Sequence, residues 1–201
     1  MEITVLNGSP KGDLSATLQY ALFIQKKFPQ HHFKIFNIAQ DMRKIEKEEG
    51  AFQAVIDAVR SSDGIVWAFP LYILLVHSNY KRFIELIWER GAESAFKDKY
   101  AASLSTSIHF FDHTAHNYIN AICDDLDMKY VGAFSADMYD LLKEREQEKL
   151  VRFARHFFDA IETKAATPKT FSPLVHRKSH YVPGNTEDKI DVGALNILVL
   201  T

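Results

Sequence analysis

Residues 2–18 read Glu2-Ile3-Thr4-Val5-Leu6-Asn7-Gly8-Ser9-Pro10-Lys11-Gly12-Asp13-Leu14-Ser15-Ala16-Thr17-Leu18. The apolar run Ile3 to Leu6 has the length of a buried strand and stops at a strong turn signal, Asn7-Gly8-Ser9-Pro10. A helical pattern comes next, with Leu14, Leu18, Ala21, Leu22 and Phe28 expected on one face, and Pro29 ends it because proline cannot continue the hydrogen-bond ladder. The loop between strand and helix has the chemistry of a phosphate site: hydroxyls at Ser9, Ser15 and Thr17, permissive backbone at Gly8 and Gly12, and a helix start near Ser15. It is neither a Walker A loop nor a G-x-G-x-x-G turn. The plainer alternative is a polar turn in which Ser15 only caps the helix.

Outward from this stretch, strand and helix patterns alternate. Phe33, Ile35 and Ile38 suit a second strand, Arg43 to Glu49 a solvated helix or loop, and Phe52, Val55, Ile56 and Val59 repeat at helical spacing. Asp63-Gly64 breaks the chain before a third strand, Ile65 to Phe69, which Pro70 closes. Lys81 to Arg90 is amphipathic, Tyr100 to Leu104 is a fourth strand, His116 to Leu126 a helix, Tyr130 to Phe134 a fifth strand, and Lys143 to Thr163 a long helix. Such alternation predicts an α/β protein with a parallel sheet and helices on both faces. Ligands of such sheets bind beyond the carboxyl ends of the strands, which selects the loops 7–17, 69–80 and 105–116. The domain is expected to span 1–165. Residues 166–193, with Pro168, Pro173 and Pro183, read as a linker or wrapping segment, and 194–201 as a lone strand that resembles the first one and would open a second domain.

Composition narrows the function classes. With 201 residues, 47% of them hydrophobic, the chain can bury a sizeable core, and a net charge of −2 without a basic stripe gives no reason to expect nucleic acid. No apolar run is long enough to span a membrane, and the first residues form a strand rather than a signal peptide. The single cysteine, Cys123, excludes an intrachain disulfide or a four-cysteine metal site, which points to a reducing cytoplasm.

The first loop resembles that of the flavodoxin-like NAD(P)H-dependent FMN reductases and quinone reductases, which read Asn-Gly-Ser-Pro-Lys/Arg and then Ser-Asn-Thr. Asn7 to Lys11 match, and Ser15-Ala16-Thr17 stands in the place of Ser-Asn-Thr, with Ala16 for the usual Asn. The second loop is similar to the family's Pro-x-Tyr followed by Lys-x-Phe: Pro70, Tyr72, Lys81 and Phe83 keep that register, whereas Ile73-Leu74 replaces a common Trp-Gly and His77 a common Pro. The resemblance implies a five-stranded doubly wound sheet of order 2-1-3-4-5. It implies FMN, with its phosphate held by Ser9, Lys11, Ser15, Ala16 and Thr17 and its ring met by Pro70, Leu71, Tyr72 and Ile73. In the third loop it implies Ser105, Thr106 and Ser107 at the ring's polar edge, with Phe110 and Phe111 flanking. NAD(P)H would be the co-substrate, a quinone, a flavin or a redox protein the acceptor, and the protein a homodimer. No side chain is needed as a nucleophile, because the flavin does the chemistry. Other readings of the same fold are an electron carrier and a flavin-free binding module.

His109, His113 and His116 fall at i, i+4 and i+7, and His176 and His180 repeat the spacing. On one helix face such histidines, with Asp112 between them, can bind a metal, but a transition-metal site usually needs a carboxylate or a fourth ligand in register, so no metal is expected, and pocket lining or proton relay and plain surface or cap roles are the alternatives. Cys123, beside Ile122 and Leu126, is expected to be a buried hydrophobe.

Overall fold

The computed structural model describes residues 1–173. Five strands, β1 (Glu2–Asn7), β2 (His32–Phe36), β3 (Gly64–Pro70), β4 (Tyr100–Ser107) and β5 (Lys129–Asp137), form one sheet in the order β2-β1-β3-β4-β5, all parallel. β1, β3 and β4 are buried along nearly their whole length, as a strand covered on both faces must be. The connecting helices are α1 (Ala16–Lys27), α2 (Met42–Lys47), α3 (Glu49–Ser61), α4 (Ser78–Glu89), α5 (Asp112–Asp125) and α6 (Glu144–Glu162). Helices α1 and α6 cover one face around Leu18, Ile24, Phe157 and Phe158, while α3, α4 and α5 cover the other around Phe52, Phe83, Trp67 and Ile119.

Alternation therefore predicts the architecture, and several details differ. Arg43 to Glu49 is not merely solvated: α2 buries Met42 and Ile45 beneath α3 and α4. Leu14 and Leu22 are exposed instead of sharing the buried face of α1, because that helix begins only at Ala16 and its inward stripe runs through Thr17, Leu18, Tyr20, Ala21 and Ile24. β4 continues past Leu104 to Ser107, so Ser105, Thr106 and Ser107 are strand residues rather than loop. His176, His180, most of the linker and the final strand lie outside the described residues.

The chain turns away in opposite directions after β1 and β3, which opens a crevice between their carboxyl ends. Two side chains shape the turn after β1. The fully buried Asn7 donates through Nδ2 to the Gly12 carbonyl (3.2 Å) and to Asn37 Oδ1 (2.8 Å), and its Oδ1 accepts from Ser9 N–H (3.1 Å). Gly8 lies under the Tyr80 ring, where a Cβ would come within 2.7 Å, and Tyr80 donates its hydroxyl to the Leu6 carbonyl (2.7 Å). A methyl group at position 8 must therefore displace a buried ring or the loop itself. Gly8→Ala is expected to destabilise by about 1–3 kcal/mol, read as a lower urea midpoint at unchanged m-value.

Candidate functional site

At the carboxyl end of the sheet four loops enclose a cavity of about 500 Å³, within the range of small-ligand sites. The β1–α1 loop contributes Ser9, Lys11, Ser15, Ala16 and Thr17, and the β3–α4 loop contributes Pro70, Leu71, Tyr72 and Ile73. The end of β4 and the loop after it add Thr106, Ser107, Ile108 and Phe110, and the end of β5 and the loop after it add Asp137, Met138 and Tyr139.

The β1–α1 side is built from donors. Ser15 is the N-cap of α1, its Oγ accepting from Leu18 N–H at 3.4 Å, and Ser9 Oγ accepts from Lys11 N–H at 3.3 Å, so both hydroxyl protons remain free to point elsewhere. The N–H groups of Ala16 and Thr17, the first two helical residues, have no protein acceptor among the described residues. Thr17 Oγ1 and Thr106 Oγ1 are bonded at 2.6 Å, tying α1 to β4 below the cavity. Orphan amides at a helix start, two spare hydroxyl protons and the ammonium of Lys11 form a donor set suited to a phosphate. The replacement of Asn by Ala16 costs nothing here, because what faces the cavity is a backbone N–H.

The β3–α4 side is strained. Tyr72 and Leu75 exchange backbone hydrogen bonds (2.7 and 3.1 Å), which leaves Ile73 and Leu74 as a two-residue turn with φ of 36° and 73°. Positive φ at both centres is the signature of a type I′ turn, normally Asn-Gly. A β-branched Ile and a Leu there are costly, so the family's Gly is replaced without relaxing the backbone it serves. The turn leaves the N–H groups of Ile73 and Leu74 without a protein acceptor among the described residues, and Ile73 lines the cavity. Ile73 itself is 91% exposed.

The third loop is ordered by one carboxylate. Asp112, the first residue of α5 and nearly buried, accepts from Ser107 Oγ (2.5 Å) and pairs with His109 Nδ1 (3.1 Å). Burial pushes its pKa up, but hydrogen bonds from Ser107, His109 and Ser135 outweigh this and hold it below the usual carboxylate range. His109 and Phe111 lie in the left-handed region, at φ 57° and 58°. The Ser107 hydroxyl is thus committed to Asp112 and also accepts from His109 N–H (2.8 Å), so only its acceptor capacity and backbone remain for a ligand.

Ser105 does not line the cavity. Alternation along β4 turns it, with Ser103, toward α5. There His116, 6% exposed, bonds Ser103 Oγ through Nδ1 (2.6 Å) and both Ser105 Oγ and Ser135 Oγ through Nε2 (2.9 Å each), and Tyr130 OH closes the network on Ser103. Desolvation drives the His116 pKa down to about 4. The three histidines do not share a helix face, since α5 starts at Asp112: His109 precedes it, His113 is exposed and His116 is buried. No group of three or more metal-ligating side chains occurs among the described residues. Phe110 lines the cavity, whereas Phe111 stacks edge-on against it from outside, at a centroid distance of 4.7 Å.

Asp137, Met138 and Tyr139 are not among the residues expected from sequence. Asp137 ends β5 and Met138 and Tyr139 follow it, so the rule that selects the other three loops also selects this one, although no motif marks it.

The family model "NADPH-dependent FMN reductase" matches residues 1–139. No curated protein matches the chain in sequence. Similar solved structures include the apo form of an NADH:FMN oxidoreductase, EmoB, at 17% identity, TM-score 0.65, covering 77% of this chain and 87% of its own. The NAD(P)H:acceptor oxidoreductase FerB from Paracoccus denitrificans is similar at 17% identity, TM-score 0.60, covering 80% and 97%. RosB, solved with a bound formylated riboflavin phosphate, is similar at 12% identity, TM-score 0.59, covering 97% and 98%. At these identities the structural likeness shows the fold.

Two outcomes are expected. The buried neutral His116 favours folding fully above its ordinary pKa of about 6.5 and loses that contribution as pH falls toward 4, by roughly 3 kcal/mol when complete. Asp112, with its pKa lowered, works in the same sense at still lower pH. Urea titrations from pH 7 to pH 4 on wild type and His116→Gln should show this acid slope reduced in the variant. Separately, Ile73→Asn with Leu74→Gly should raise stability by about 1 kcal/mol by relieving the turn, measured as a higher Tm.

Proposed function

The chain belongs to the NADPH-dependent FMN reductase family, an NAD(P)H oxidoreductase family that works through FMN, and from that premise we propose how its residues divide the work. The observation that supports this reading best is the pair of unpartnered amides at Ala16 and Thr17, opening into a cavity of about 500 Å³ beside the Ser9 and Ser15 hydroxyls. These four groups, with Lys11, hold the FMN phosphate. The donor set fits a dianion: the charges on the side of the cavity contributed by residues 9–17 are the helix start and Lys11, and the nearest carboxylate of that loop, Asp13, is engaged by Asn37 Nδ2 at 2.8 Å. Bound FMN would supply the hydride and electron chemistry that no side chain here provides.

The remaining residues position and shield. The amides of Ile73 and Leu74, held outward by the strained turn, would be the donors offered to the ring system. Thr106 offers its hydroxyl from below, and the backbone at Ser107 is held in place by Asp112. Leu71 and Pro70 form an apolar floor, and Phe110, Met138 and Tyr139 an apolar wall that excludes water. NAD(P)H and the acceptor use the same open face in turn, and the acceptor is a small planar molecule, a quinone or a flavin. The apolar character of that face supports this, since Ile73, Ile108 and Tyr139 are 91%, 84% and 61% exposed around the mouth. Exposed apolar side chains of this kind at the mouth also support a homodimer formed across it.

Ser9→Ala with Ser15→Ala should weaken FMN binding at least tenfold, since each lost hydrogen bond to a charged group is worth about 1.5–3 kcal/mol. Equilibrium titration of FMN against the apoprotein measures it, and unchanged affinity would place the phosphate elsewhere. In the FMN-loaded protein, mixing with NADPH should bleach the flavin's visible absorption, and adding a quinone should restore it. A flavin that NADPH and NADH both leave oxidised would point to an electron carrier.

A further inference from the structure

Of the four loops around the cavity, the one after β5 has the least support from the sheet. β5 is an edge strand that pairs with β4 alone, and most of its residues are only part-buried. Its last residue, Asp137, and the next two, Met138 and Tyr139, nevertheless form one wall of the cavity. Met138 and Tyr139 are 55% and 61% exposed. Side chains so exposed have few neighbours to fix them, so the backbone that carries them sets where the wall stands.

That backbone is clamped from outside the sheet. Tyr20, buried on α1, donates its hydroxyl to the Asp137 carbonyl (2.5 Å) and accepts from Leu141 N–H (3.2 Å). One phenol thus bridges both ends of the segment from Asp137 to Leu141. Burial raises the Tyr20 pKa, so the hydroxyl keeps its proton and remains a donor at neutral pH. Asp140, also buried, closes the segment from within: its Oδ2 accepts from Asp137 N–H (2.9 Å) and its Oδ1 from Lys143 Nζ (2.9 Å). Asp137 Oδ1 accepts from Tyr139 N–H (3.1 Å), and Gln147 on α6 donates to the Leu141 carbonyl (2.7 Å).

We propose that Tyr20 is a positioning residue for the electron acceptor: its hydroxyl holds the Met138–Tyr139 wall, and so fixes the gap that a planar acceptor enters. This inference rests on the flavin-reductase reading of the cavity. The place of Tyr20 in the chain carries it. Ala16 and Thr17, whose amides would hold the FMN phosphate, open α1, and Tyr20 lies one turn further along the same helix. One rigid element therefore sets both the seat of the cofactor and the wall the acceptor meets. A phenylalanine at position 20 would fill the same space in the core. It would leave the Asp137 carbonyl and the Leu141 amide without this partner and the segment free to shift.

The test uses 2-naphthol, a planar aromatic that a flavin does not reduce. It is titrated into the FMN-loaded protein and read from the change in the flavin's visible absorption. Tyr20→Phe should weaken naphthol binding roughly three- to tenfold, while FMN affinity stays within about twofold of wild type. Asp140→Ala, which releases the same segment from within, should do likewise, and it stands in for Tyr20→Phe if that variant does not fold. Tyr139→Ala weakens the probe by itself, and in that background Tyr20→Phe should add less than about twofold, because the wall it positions is gone. Naphthol binding unchanged by Tyr20→Phe overturns the proposal, as does a full, additive loss in the Tyr139→Ala background. A wild-type protein that takes up FMN but no naphthol overturns it as well. A wild-type protein that takes up no FMN instead overturns the reading of the cavity as a flavin site.

Discussion

The buried carboxamide of Asn7 is the contact on which the site depends. One side chain bonds the carbonyl of Gly12, the amide of Ser9 and the side chain of Asn37, so it fixes the shape of the first loop and its distance from the β2–α2 connection together. An amide is needed because the site demands donors and an acceptor at once; an aspartate would lack the donors and a leucine would leave buried backbone groups unpaired. With the loop so folded, α1 starts at Ala16 with its first N–H groups aimed at the crevice. Gly8 completes the arrangement from below, where the Tyr80 ring leaves no room for a Cβ.

The other walls of the cavity are held against local preference. Ile73, Leu74, His109 and Phe111 all occupy the left-handed region, and each is followed or preceded by a contact that keeps it there. In the second loop that contact is the Tyr72–Leu75 backbone pair, and in the third it is the Asp112 carboxylate. Asp98, Asp127 and Lys164 are also left-handed, away from the cavity, but backbone strain on loops beside a ligand cavity is a common companion of pre-organisation. Its position here, on the two loops that would meet the flavin ring, agrees with the family assignment.

Much of this is legible in the sequence. The alternation of patterns identifies all five strands, and the Asn7–Lys11 and Pro70–Tyr72 motifs identify two of the four loops that line the cavity. The departures have physical causes. Leu14 and Leu22 keep helical spacing but are exposed, because spacing does not say where a helix begins or which stripe the sheet covers. Ser105 to Ser107 reads as loop, since a run of hydroxyl residues makes a poor buried strand, yet β4 continues through it. Here the strand is possible because His116, on the helix packed against it, satisfies the inward hydroxyls. The same partnership explains the histidine spacing. It reflects one residue inserted in a polar core, one pairing with Asp112 and one left in solvent, which no periodicity can distinguish. The loop after β5 escapes a motif-based reading because no motif marks it.

The buried His116 also acts as a key. Most helix-on-sheet contacts are apolar and tolerate small slides, since one methyl group serves about as well as its neighbour. α5 is different: its ring must reach Ser103 with one nitrogen and Ser105 and Ser135 with the other. A slip of one turn, about 5.4 Å, would strand several buried polar atoms at once, each at a cost of about 1–3 kcal/mol. The axial position and rotation of α5 therefore have a single low-energy setting. Because Asp112 is the first residue of that helix, the height of the third loop above the cavity is set by a contact one turn further down, among residues that do not line the cavity.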